Sequence, residues 1–170
     1  MWIRLKPLFY ISVSMFAAGL IVGIAYGWNS PVQGLSPSKA DSLDIIFNNL
    51  AVGGILIVSG WITAGVISSL FLAFNGFTVG VVVGHVAVGY GLTPIYRGLL
   101  PHFFVELLAL LLCAVLGLFS AQILWRLAKR QSFAVSEYIR DGLLLAASAL
   151  LLFTFAGLIE GHISEVVLNQ

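Results

Sequence analysis

His102 and Glu106 stand four residues apart, and on a helix that spacing puts an imidazole and a carboxylate on one face. Such a pair can share a proton, or it can offer two ligands to a divalent cation, since imidazole and carboxylate suit Zn or Mn. Two ligands do not complete a metal site, so the rest would have to come from His85, Glu160 or His162, with Asn48, Asn49 and Asn75 adding amides. The structural alternative is a buried Glu106 bonded to His102 or to an Asn amide, holding helices together. Taken alone, His85 reads as a satisfied interior histidine. Asn75-Gly76 reads as an interhelical hydrogen bond beside a close backbone approach, with pore lining as its functional alternative. Gly-x-Ser-x-Gly, Walker and His-Glu-x-x-His patterns are absent, so the chain reads as non-enzymatic. No cofactor is expected beyond a divalent metal at His102 and Glu106. Cys113 is the single cysteine, which excludes an intrachain disulfide and leaves a redox or zinc-cysteine role unsupported.

The elements that must position these residues are dictated by the medium. From Ile45 to Tyr96 the chain carries no Asp, Glu, Lys or Arg. The whole sequence is 9% charged and 60% hydrophobic with a mean hydropathy of +1.06, whereas soluble domains carry roughly a quarter charged residues. About 20 apolar residues cross a bilayer, so Ile45 to Tyr96 must hold two crossings and a turn. The apolar runs do not alternate with polar residues as barrel strands would, and lipid leaves no other choice than helices. The expected fold is an all-α polytopic transmembrane bundle of five helices in one membrane domain. Their expected bounds are about 7–28, 45–60, 65–90, 101–126 and 141–163, with a polar outer loop at about 29–44. Asp41 or Ser42 can cap the second helix, and Gly60 to Gly65 is the expected turn between the second and third. The first span resembles a signal peptide but is longer than the usual apolar region and lacks a clear Ala-x-Ala site, so it reads as an uncleaved helix.

Cations resist translocation. With the N-terminus cytoplasmic and the C-terminus outside, Arg4, Lys6, Arg126, Lys129, Arg130 and Arg140 lie on the cytoplasmic side, leaving only Lys39 and Arg97 outside. Arg126, Lys129 and Arg130 form a cationic helix end that anchors to anionic headgroups, and Glu137, Arg140 and Asp141 read as a short interfacial turn. In this topology Asn48, Asn49, His85, His102, Glu106, Glu160 and His162 converge on the outer half, with Asn75 nearer the middle. Gly19, Gly23 and Gly27, like Gly76, Gly80 and Gly84, recur at spacing four, which lets another backbone approach closely. Internal packing or a homodimer seam would each use these rows. A net charge of +1 without a basic patch interleaved with aromatics gives no case for nucleic acid.

Several groups of residues fall into a known order: Phe47-Asn48-Asn49-Leu50, Gly60 with Ala64-Gly65, and Asn75-Gly76 with Gly80. Leu100-Pro101-His102, Glu106-Leu107, Ala109, Gly117-Leu118 and Leu158-Ile159-Glu160-Gly161 follow them. Over about residues 45–163 the chain resembles the stage II sporulation protein M family of multi-pass membrane proteins. Members usually follow Leu-Pro-His with Gly, where this chain has Phe103. The resemblance implies a protein of the prokaryotic plasma membrane. The founding member is non-enzymatic and works with peptidoglycan-degrading partners during engulfment of the forespore. Other members accompany genes for circular bacteriocin export and immunity. The expected role is therefore a membrane scaffold or recruiting subunit whose partners are the bilayer and other membrane or cell-envelope proteins. The alternative is a transporter or channel component for a proton, a metal ion or a peptide, built on the His/Glu/Asn cluster.

Overall fold

A helix satisfies its own backbone hydrogen bonds, and the described chain is helical almost throughout, as an apolar medium demands. The computed structural model describes the backbone of residues 2–30 and 42–168 and the side chains of residues 4–30, 43–97 and 99–160. The polar segment with Lys39 and the Asp41 cap, and the side chains of Ser42 and His162, lie outside these. The elements are α1 (Trp2–Asn29), α2 (Ser42–Ile62), α3 (Val66–Tyr90), a π-helical turn (Ile95–Leu99), α4 (Leu100–Ala128) and α5 (Val135–Leu168). All five long helices are long and apolar enough to span a membrane.

The turn between α2 and α3 occupies residues 63–65, where Ala64 and Gly65 take left-handed backbone angles with φ of 52° and 84°. The Gly65 N–H donates to the Gly60 carbonyl at 2.7 Å, closing α2. The Thr63 hydroxyl donates to the Ser59 carbonyl at 2.7 Å and accepts the Ile67 N–H at 3.0 Å, so one side chain serves the end of α2 and the start of α3. The connection needs no charged or solvated loop.

Helix α4 is the hub. Ala109, Leu110, Leu111 and every residue from Cys113 to Ser120 are buried, so this helix is enclosed on all sides by the others. Its length follows from its Leu-rich sequence, which carries no charge between Glu106 and Arg126. Against it α2 comes close at Gly60 and Gly117: a Cβ at Gly60 would meet the Gly117 backbone at 2.5 Å, and one at Gly117 the Leu56 carbonyl oxygen at 2.5 Å. The Ser120 hydroxyl then donates to the Gly60 carbonyl at 2.8 Å. Helices α1 and α3 run parallel and share the most intimate interface. A Cβ on Gly19, Gly23 or Gly27 would overlap the carbonyl oxygens of Ala73, Phe77 or Val81, and one on Gly76, Gly80 or Gly84 those of Phe16, Leu20 or Ile24. Both glycine rows thus face each other across this interface and serve internal packing.

Helix α5 starts at Val135, earlier than expected, and Glu137, Arg140 and Asp141 belong to it rather than to an interfacial turn. Asp141 is fully buried, which its charge allows because Arg4 of α1 reaches it. Arg4 Nη1 also donates to Glu137 Oε2 at 2.8 Å, and its guanidinium lies 4.8 Å from the centroid of the Tyr138 ring. The Tyr138 hydroxyl donates to Gln122 Oε1 at 3.1 Å, and Gln122 Nε2 donates to the Arg4 carbonyl at 3.1 Å. Three helices are pinned around one arginine. At this end Trp61 and Trp125 are exposed, and Tyr26, Trp28, Tyr90 and Tyr96 are exposed at the other, as expected of aromatic belts at two membrane surfaces.

Two stability changes follow. Gly23→Val forces α1 off α3 and destabilises the fold by about 3 kcal/mol or more, whereas Gly54→Ala, where a Cβ meets nothing within 4 Å, is neutral or stabilises by about 0.5–1 kcal/mol; thermal unfolding in detergent compares the two. Asp141→Ala takes away the buried partner of Arg4 and leaves it Glu137 alone, which costs up to about 3 kcal/mol, read as a lowered melting temperature that Arg4→Met in the same chain partly restores.

Candidate functional site

The end of the bundle opposite Arg4 is where α2 and α4 begin and where α3 and α5 finish. There the π-helical turn Ile95–Leu99 leads straight into α4, the Leu100 N–H bonding back to the Ile95 carbonyl. Pro101 sits in the first turn of α4, where its missing N–H leaves no bond unmade. One residue on, His102 is turned into the bundle and is only 8% exposed. Glu106 follows one helical turn deeper on the same face.

The carboxylate of Glu160 on α5 faces this pair. One ligand atom from each of His102, Glu106 and Glu160 can be chosen so that all lie within 4.8 Å of one another. His102 Nε2 and Glu160 Oε2 are 3.9 Å apart, beyond a hydrogen bond. Among the described residues neither glutamate pairs with a Lys or Arg. Two ionised carboxylates at about 5 Å repel by roughly 3 kcal/mol at an effective dielectric of about 20, a cost that a proton on one of them or a cation beside both would remove.

A partly open cavity of about 350 Å³ adjoins the three groups and is walled on the α2 side by Asp44, Ile45, Asn48 and Asn49. Asn49 is 5% exposed, and its Nδ2 finds no hydrogen-bond partner among the described residues; the same holds for His102 Nδ1. Both side chains are therefore buried polar groups whose bonding capacity is unspent. A second cavity, of about 280 Å³, lies on the α3 side between Val82, Val83, Val86, Pro94, Ile95 and Leu99, and it also touches His102 and Glu160. The imidazole and the α5 carboxylate thus stand where two cavities meet.

The structure brings together Asn48, Asn49, His102, Glu106 and Glu160 from three helices. His85 stays apart: it is half-buried on α3, lines neither cavity, and its Nε2 has no partner among the described residues. Asn75 is elsewhere too. Its Nδ2 donates to the Phe71 carbonyl at 3.0 Å within its own helix, so the expected interhelical bond is replaced by a local one, while Gly76 makes the close approach to α1. Asp44 joins the cavity wall without having been expected there. Its signal in the sequence is its place one turn before Asn48, on the same face of α2. Gly60 and Gly117 are likewise legible in the sequence only as punctuation, although they bring α2 onto α4 and so align the first turns of both helices. Cys113 is buried beside Gly53 and Phe153, away from the polar cluster. At the other end Arg126, Lys129 and Arg130 gather at the close of α4, with Lys129 Nζ 4.4 Å from the centroid of the Trp125 ring.

Comparison with known proteins agrees with this architecture. The family model for stage II sporulation protein M matches residues 11–165. An uncharacterized protein of the archaeon Methanocaldococcus jannaschii is 35% identical over 126 residues, covering 72% of this chain and 70% of that protein. No solved structure matches the chain. A multi-pass helical bundle matched over nearly its whole length by the family model, this chain belongs to the stage II sporulation protein M family.

Proposed function

We propose that the protein is a non-enzymatic membrane scaffold, a fixed helical platform that anchors or recruits other proteins of the cell envelope at the cell membrane. The observation that carries this reading is the interlocking of backbones. Helix α1 is keyed into α3 along two glycine rows, α2 into α4 at Gly60 and Gly117, and Arg4 pins α1 to α5. A carrier that alternates access rocks one group of helices against another around its site. Backbone keyed into backbone resists such sliding, because no side chain can rotate out of the way. A recruiting platform gains from the same stiffness, since a surface held in one shape loses less entropy on binding. The role implied by the family resemblance, work alongside wall-degrading partners without catalysis, is of the same kind. In the matching orientation the Arg4 end is cytoplasmic, because Arg126, Lys129, Arg130 and Arg140 collect there.

A second reading, a channel or transport component, draws on the two cavities that meet at His102 and Glu160. One experiment separates the two. Chemical crosslinking in native membranes followed by affinity purification in mild detergent should retain envelope proteins with the chain. Recovery of the chain alone, together with ion or peptide flux in reconstituted liposomes that Glu106→Gln abolishes at undiminished folded yield, would replace the scaffold by the transport reading.

A further inference from the structure

We infer that His102, Glu106 and Glu160 form a divalent transition-metal site, best matched to Zn²⁺, that ties α4 to α5 at the end of the bundle remote from Arg4. This site stands independently of the scaffold reading. Its donors are one imidazole and two carboxylates, a set that suits zinc, whereas Mg²⁺ and Ca²⁺ prefer oxygen donors in larger number. Two ionised carboxylates also match the charge of a divalent ion, and neither has a Lys or Arg partner among the described residues.

The geometry is that of a ligand set open by a small amount. Tetrahedral Zn²⁺ with bonds of about 2.0–2.1 Å holds its ligand atoms roughly 3.3 Å apart. The three donors here lie within 4.8 Å, and His102 Nε2 and Glu160 Oε2 within 3.9 Å. The difference to be closed is at most about 1.5 Å, within the reach of a glutamate side chain's rotatable bonds. Three ligands leave one position, and since all three residues line the 350 Å³ cavity a water there could fill it.

The unspent polar atoms fit the same picture. With Nε2 on the ion, His102 Nδ1 is left off the metal, and this buried nitrogen without a partner among the described residues is the atom whose N–H a small shift would have to give an acceptor. Asn49, buried with a free amide nitrogen and lining that cavity, can donate to the ion's water or, with its amide reversed, accept from it. A proton held by one carboxylate would relieve their repulsion but would leave His102 and Asn49 without work. An i, i+4 or i, i+3 pair on one helix joined by a carboxylate from a facing helix is also how helical bundles assemble metal sites.

The test uses the full chain purified in detergent, stripped with a chelator and titrated with Zn²⁺ against a chromophoric competitor. About one ion per chain is expected, with affinity lowered at least about tenfold by Glu106→Gln and by Glu160→Gln and unchanged by His85→Gln. X-ray absorption at the zinc edge of the loaded wild-type protein should show imidazole and oxygen donors at about 2.0–2.1 Å and no sulfur. If the glutamate variants do not fold, this spectrum decides. No retained zinc in the wild type, equal affinity in folded glutamate variants, a loss in His85→Gln as large as theirs, or sulfur in the spectrum would each overturn the site.

Discussion

In lipid the usual reason for apolar side chains to seek each other is gone, because the surrounding acyl chains are as apolar as leucine. What holds helices together is the closeness of their backbones, and closeness requires that side chains be missing where they meet. The tightest contacts in this bundle obey that constraint. The rows Gly19-Gly23-Gly27 and Gly76-Gly80-Gly84 bring α1 and α3 together so closely that a single methyl group would strike a carbonyl. Gly60 and Gly117 do the same for α2 and α4, and Gly53 makes room for Phe153 of α5. The leucines and phenylalanines are divided between a core to which all five helices contribute, α4 most of all, and an exposed apolar surface, and they fill space more than they choose neighbours.

The ionisable clusters then sit at the two ends of the bundle. Near the start of α1, Arg4, Gln122, Glu137, Tyr138 and Asp141 satisfy one another, so charges that would be costly alone become a clamp. At the opposite end the polar residues are not satisfied in this way. His102, Glu106, Glu160 and Asn49 are held by the same rigid helices, but with opposed carboxylates, a gap longer than a hydrogen bond and buried polar atoms without partners beside a cavity. A structural network in a low-dielectric setting is expected to be complete. The contrast between a closed network and an open one within a single small bundle is what marks the second end as a place for something else to bind.

Much of this is legible in the residues. The absence of charge from Ile45 to Tyr96 implies the crossings, and Gly60 to Gly65 implies the turn that the structure puts at residues 63–65, because a left-handed residue such as Gly65 lets one helix stop and another start within so short a connection. The placement of His102 and Glu106 on one face follows from helical spacing alone. Asp141 reads as interfacial in the sequence because a carboxylate beside Arg140 at a helix start normally faces water, and the residue that lets it be buried, Arg4, lies at the far end of the chain. Asn75 is expected across an interface, but its own helix offers the Phe71 carbonyl at little cost in chain entropy.

What the sequence determined by itself is everything with a local cause: medium, helix number, the position of the turn, and which residues are small or ionisable. Those properties depend on hydropathy, spacing and backbone preference, which a linear string contains. Only the tertiary structure decided which glycine row meets which, that Arg4 reaches Asp141, and that Glu160 rather than His85 faces His102 and Glu106. Those pairings depend on the rotation of each helix about its own axis. Rotation is set by the simultaneous close packing of all five helices around α4, so no single helix carries the information to predict it.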